Sequence, residues 1–176
     1  LWQEQVNAEG GIYVKELGAR LPVEFVWYDD RSDMESVIRL YEKLMTEDRV
    51  DFILAPWGTG SHFAIAPLTT KYGYLLLGNT CTSLELLKMK APYFYAALPQ
   101  TDRLVPAYTE FFKGVRDEYG IKDIALVHND ADHGIECGTM MKPLLDEAGF
   151  NVVIYEKYPV TATDLSPLLL KAKDAE

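Results

Sequence analysis

Cysteine is scarce in this chain of 176 residues: only Cys81 and Cys137 occur, so no disulfide framework can be read from spacing and the redox compartment stays open. Long apolar runs are missing as well. No stretch approaches the roughly 20 residues needed to cross a bilayer, which excludes an integral membrane segment. Positive charge is in deficit, with 17 Lys and Arg against 27 Asp and Glu and a formal net charge of -10. Such a surface repels phosphate backbones and anionic headgroups, so nucleic acid and direct membrane insertion are disfavoured. The opening Leu1-Trp2-Gln3-Glu4-Gln5 has neither the basic nor the apolar region of a leader peptide, which fits a cytosolic protein or one whose leader has been removed. G-x-S-x-G, P-loop and G-x-G-x-x-G motifs are lacking, as are internal repeats and low-complexity tracts.

What is present is ordinary globular composition, 48% hydrophobic and 12% aromatic, in a chain long enough to bury a core. Short runs rich in β-branched and aromatic residues predict strands at Val23 to Tyr28, Val50 to Ala55, Tyr74 to Leu77, Tyr93 to Leu98, Ile124 to Val127 and Asn151 to Tyr155. Most read as buried on both faces, like parallel strands. Between them Met34, Val37, Ile38, Tyr41, Leu44 and Met45 recur at helical spacing within Ser32 to Asp48, and Ser32-x-x-Glu35 reads as a capping box. Further helices are predicted over Ser61 to Lys71, Thr82 to Met89, Leu104 to Tyr119, Gly134 to Ala148 and Asp164 to Ala172, several closing on glycine at Gly73, Gly120 or Gly149. Alternation of this kind specifies an α/β fold with three layers, doubly wound around mostly parallel sheets. The chain opens on the helix end Leu1 to Ala8 and stops inside a helix, so it reads as a fragment.

Three strand-to-helix junctions carry the polar residues of interest. In Trp57-Gly58-Thr59-Gly60-Ser61 the glycines allow close backbone approach to a ligand, and the following helix offers free amides and its positive dipole end. That combination favours a carboxylate; an ordinary loop with an N-cap at Ser61 is the bland alternative. In Asn79-Thr80-Cys81-Thr82-Ser83 a second capping box, Thr82-x-x-Glu85, starts another helix, and capping alone is again the plain reading. The third junction, His128-Asn129-Asp130-Ala131-Asp132-His133-Gly134, is either a ligand contact or a solvated helix start. Its His128, Asp130, Asp132, His133 and Cys137 match no zinc spacing, so no metal is assigned. Cys81 has no identifiable base and orienting acid, so no catalytic residue is assigned and no cofactor is implied.

Val6-Asn7-Ala8-Glu9-Gly10-Gly11-Ile12, Tyr28-Asp29-Asp30-Arg31-Ser32-Asp33 and Val50-Asp51-Phe52-Ile53-Leu54-Ala55-Pro56, continuing through Ala66-Pro67-Leu68, Lys71-Tyr72-Gly73, Leu84-Glu85-Leu86 and Ile124-Ala125-Leu126-Val127-His128-Asn129, resemble type I periplasmic solute-binding proteins. The matching branch holds the leucine/isoleucine/valine-binding proteins of ABC importers. The resemblance implies two α/β lobes that close on a ligand, with residues 1–120 forming most of the first lobe and 121–176 the start of the second. Tyr93 to Pro99 would cross between them, and the first lobe's opening strand would lie outside this sequence. By the same resemblance Trp57, Gly58 and Thr59 form the first ligand-binding loop, with Thr59 gripping an α-carboxylate. Thr80, Cys81 and Thr82 hold an α-ammonium and assist with the carboxylate, and His133 stands where relatives often carry an aromatic, commonly Tyr. A histidine keeps a flat ring but adds a group titrating near pH 6.5. The two cysteines are expected on opposite lobes and unbonded, since a bond at Cα spacings under about 7 Å would lock the cleft.

The function so implied is that of an extracytoplasmic, periplasmic receptor that takes an amino acid or related small amide or carboxylate and delivers it to ABC permease membrane subunits. A ligand sensor on the same fold is the alternative, and a doubly wound enzyme is less favoured.

Overall fold

The computed structural model describes residues 1–175, and the chain divides into two units, Leu1–Val50 and Asp51–Glu176. In the first, α1 (Trp2–Ala8) runs into a hairpin of β1 (Ile12–Val14) and β2 (Ala19–Leu21), antiparallel with Ile12 opposite Leu21. The hairpin was not predicted, because three-residue strands carry too little periodicity to register. Gly11 at its base has φ +87°, and a Cβ there would lie 1.9 Å from the Leu21 carbonyl oxygen, so only glycine fits. The Asn7 side chain then fastens the outgoing chain, donating to the Val23 carbonyl at 2.8 Å and accepting from the Val23 amide at 2.7 Å.

The amphipathic stripe predicted from Ser32 becomes α2 (Met34–Thr46), which buries Val37 and Met45. Its cap differs from the expected one. Asp33, not Ser32, caps the helix by accepting from the Ser36 amide at 2.8 Å, while Ser32 sits at φ +56° in a turn held by Asp30. A carboxylate one residue later wins because it offers a charge-assisted bond in the same place. Tyr28, Lys43 and Asp48 close this unit on itself: the Lys43 ammonium donates to Asp48 at 2.7 Å, and the Tyr28 hydroxyl donates to Asp48 at 2.9 Å.

The second unit holds α3 (Thr59–Tyr72), β3 (Leu76–Gly78), α4 (Leu84–Lys88), β4 (Phe94–Ala96), α5 (Thr101–Tyr119), β5 (Asp123–Asn129), α6 (Asp132–Glu147), β6 (Asn151–Tyr158) and α7 (Ser166–Lys173). Two βαβ units give two separate two-stranded parallel sheets, β3 with β4 and β5 with β6, the latter carrying a register shift between Ile124 and Ala125. The core gathers Ile65 and Ala66 from α3, Leu76 from β3, Leu86 from α4, Val105 from α5, Leu145 from α6 and Ile154 from β6.

Two predicted strands, Val23 to Tyr28 and Val50 to Ala55, are not strands among the described residues. A strand exists only through a hydrogen-bonded neighbour, and β propensity alone cannot supply one. The period of two nevertheless survives near the second: Ile53 is buried between exposed Phe52 and Leu54, as Leu76 is between exposed Leu75 and Leu77. The exposed members line an apolar groove of about 490 Å³ along 51–55 and 73–79. None of the expected ligand-binding residues lines it.

Candidate ligand-binding site

The first two expected junctions meet. Gly58, at φ +84°, ends the chain leading from Pro56 and serves as N-cap of α3, so Ser61 lies inside the helix rather than capping it. Thr80 joins this turn to the next: its hydroxyl donates to the Pro56 carbonyl at 2.7 Å and accepts from the Gly58 amide at 3.2 Å. The Thr80 side chain is thereby committed to holding the two loops in register. Thr59, the first residue of α3, is 5% exposed, and its hydroxyl makes no hydrogen bond among the described residues. It stands beside the unsatisfied first amides of a 14-residue helix. One turn on, the buried His62 contacts the Gly58 carbonyl through Nδ1 at 2.7 Å, and burial lowers its pKa, so the ring is held neutral with Nδ1 as donor.

In the second junction the cap again moves by one residue. Ser83, not Thr82, caps α4 by accepting from the Glu85 amide at 3.2 Å. Thr82 is released for longer-range work: its carbonyl accepts from the Thr101 amide at 2.9 Å, and its hydroxyl lies 2.7 Å from His133 Nδ1. Cys81 between them is fully buried, and that burial pushes its thiol up to about 11. It sits hard against β3, since a Cβ on Gly78 would come 2.6 Å from its Sγ. Trp57 is 84% exposed, and among the described residues no hydrogen bond or ring contact ties it to this cluster.

His133 is the second residue of α6, one before Gly134, whose missing side chain lets the helix start press on the end of β5. The ring therefore reaches Thr82 across 51 residues of sequence, and so the third junction joins the other two. Cys137 lies one turn further, 3.5 Å from His133 Nδ1, with its thiol raised to about 11 by burial and then by Glu136. Both cysteines are free thiols. Among the described residues no group of three His, Cys, Asp or Glu is placed to hold a metal ion.

Sequence reasoning passed over the residue that ties these parts together. Glu136 of α6 accepts from the Ser83 hydroxyl, from the Thr101 hydroxyl and, at 3.0 Å, from the Leu84 amide. Its place three residues after His133 was the available signal, since i and i+3 share a helix face. Burial raises its pKa, but the bonds from Ser83, Thr101 and Leu84, with His133 nearby, outweigh it and hold the carboxyl below its ordinary 4.5. A depressed folded-state value contributes stability that is present above the unfolded value and lost as pH falls through the folded one. Glu136→Gln is therefore expected to be less stable than the wild type at neutral pH. The difference should shrink at about pH 3.5, as read by urea denaturation at the two pH values. A difference independent of pH would show that the carboxylate charge is not what the site uses.

The whole chain, residues 1–176, matches the family model described as periplasmic binding protein. Among curated relatives, the leucine-, isoleucine-, valine-, threonine- and alanine-binding protein of Pseudomonas aeruginosa is 24% identical over 98% of this chain and 43% of its own length. Leu/Ile/Val-binding protein homolog 7 of Brucella abortus gives the same figures. Among solved structures, an ABC transporter solute-binding protein of R. palustris in complex with 4-hydroxybenzoate has a TM-score of 0.77 at 24% identity, over 98% of this chain and 45% of that one. A branched-chain amino acid transporter substrate-binding protein of Streptococcus pneumoniae in complex with isoleucine has a TM-score of 0.76 at 20% identity, over 97% and 46%. The chain thus spans less than half the length of the proteins it matches, and its α/β fold with parallel sheets is that of type I periplasmic binding proteins. The chain belongs to the periplasmic binding protein family.

Proposed function

We propose that the protein is the extracytoplasmic solute-binding component of an ABC importer, taking a small carboxylate, an amino acid or a related amide, between two lobes formed by residues 1–120 and from 121 onward. The observation that carries this reading is the Thr82–His133 contact at 2.7 Å. It brings the third polar junction to the pair already fastened by Thr80, so the junctions converge on one place. In this reading Thr59 and the opening amides of α3 receive the carboxylate, Gly58 admits it closely, and Thr82 and His133 bound it from the other side. Trp57 rims the opening, and the backbone at Thr80 and Cys81 shapes the loop.

The ligands named with the matched structures, isoleucine and 4-hydroxybenzoate, share only a carboxylate. A helix N-terminus with a free hydroxyl is suited to that group and indifferent to the rest. Delivery to ABC permease subunits follows from the family, and no cofactor or catalytic residue enters. Native mass spectrometry of the full-length protein as purified is the test. A retained small molecule bearing a carboxylate is expected. A retained ligand bearing neither a carboxylate nor an amide group, or turnover of an added amino acid with release of product, would overturn the reading.

A further inference from the structure

We infer that Glu136 is a positioning residue for the ligand site, clamping the first turns of α6 to the segments that begin α4 and α5 and thereby setting where Thr82 and His133 stand. This rests on the ligand reading above and extends it to a residue outside the expected contact set.

Glu136 and His133 share a face of α6. His133 meets the Thr82 hydroxyl, while Glu136 takes the Ser83 hydroxyl and the Leu84 amide from the residues immediately following. Its second tie runs to Thr101, whose amide holds the Thr82 carbonyl at 2.9 Å. Thr82 is therefore bracketed: its carbonyl is fixed by Thr101, which Glu136 holds, and its hydroxyl by His133, which lies on the same face of α6 as Glu136. Three acceptances on one partly buried carboxylate leave little freedom for the loop 80–84 to move independently of α6. Removing one member strands the others, because a desolvated hydroxyl or amide then lacks its acceptor. A ligand lying against Thr82 would be retained by this clamp rather than recognised by it, so the effect belongs mainly to dissociation.

The Leu84 amide supplies a direct reading. It lies in the first turn of α4, where no intrahelical acceptor exists, and Glu136 is the acceptor it has. In the full-length protein without added ligand, hydrogen exchange at Leu84 is expected to be about tenfold faster in Glu136→Ala than in the wild type. Glu136→Gln, which keeps an acceptor oxygen, should fall between them. Amides inside α3 should keep their rates in all three, which separates a local clamp from general destabilisation. In stopped-flow experiments with isoleucine and 4-hydroxybenzoate as probes, Glu136→Ala should release the bound probe about tenfold faster with association changed less than about threefold.

Equal exchange at Leu84 in wild type and Glu136→Ala would overturn the clamp. Faster exchange with unchanged dissociation would overturn the positioning role. Failure of the ligand reading shows separately, as wild-type protein that protects Leu84 yet binds neither probe nor any other small carboxylate, and the positioning role would then fall with it.

Discussion

In the full-length protein, Thr59→Ala and Thr82→Ala are each expected to weaken capture of a small carboxylate by about ten- to a hundredfold. A hydrogen bond to a charged group contributes about 1.5 to 3 kcal/mol, and about 1.4 kcal/mol corresponds to a factor of ten in affinity. The two losses should differ in character. Thr59 has a hydroxyl that no described residue uses, so its removal subtracts a contact from the ligand and little from the protein. Thr82 is already engaged with His133, so its loss also frees the ring and should loosen the site beyond the one lost contact. Calorimetry on the two variants would read both losses. Affinity unchanged within about twofold in both variants would place the ligand elsewhere.

Gly134→Ala is expected to damage stability and binding together. A Cβ at this position would lie 2.2 Å from Asn129 Oδ1 and 2.5 Å from the Asn129 backbone oxygen. The side chain could rotate away, but the backbone at the end of β5 is held by its ladder to β6 and cannot. Relief requires the start of α6 to withdraw, which draws His133 from Thr82. Overpacking of this kind costs about 1 to 3 kcal/mol. At Gly138, one turn later, an added Cβ would lie 2.4 Å from the ring of His128, so Gly138→Ala should behave alike. Gly114 in α5 has nothing within 4 Å of an added Cβ, so Gly114→Ala should be neutral or stabilise by up to about 1 kcal/mol. Urea denaturation of the three variants gives the comparison. Equal stability at positions 134 and 114 would mean that α6 is not seated on β5 as described.

Helices were the most legible part of the molecule, and α2 shows why. Its apolar residues repeat with the helical period, so thirteen residues declare one buried face without reference to anything distant. Its cap was off by one because two neighbouring side chains could both cap, and only the turn geometry around Asp30 chose between them. The same one-residue shift at α4 had larger consequences. With Ser83 as the cap, Thr82 was free to reach His133.

The strands divide differently. The run from Ile124 and the run from Asn151 became β5 and β6 because each found the other, whereas Val23 to Tyr28 and Val50 to Ala55 have comparable composition and no ladder. Family resemblance selected Trp57, Gly58, Thr59, Thr80, Cys81, Thr82 and His133 as a set. It could not say that Thr80 binds backbone, that Cys81 is sealed in the core or that Trp57 stands in solvent.

By itself, then, the sequence determined the alternation of helix and strand, the acidic surface, the family and the three junctions worth examining. Each of these is written in nearest neighbours or in composition. Only the tertiary structure decided that Thr82 meets His133 and that Glu136 gathers Ser83, Leu84 and Thr101. Those bonds join residues 35 to 53 positions apart, and a single polar side chain on a helix reads the same whether it faces water or three donors.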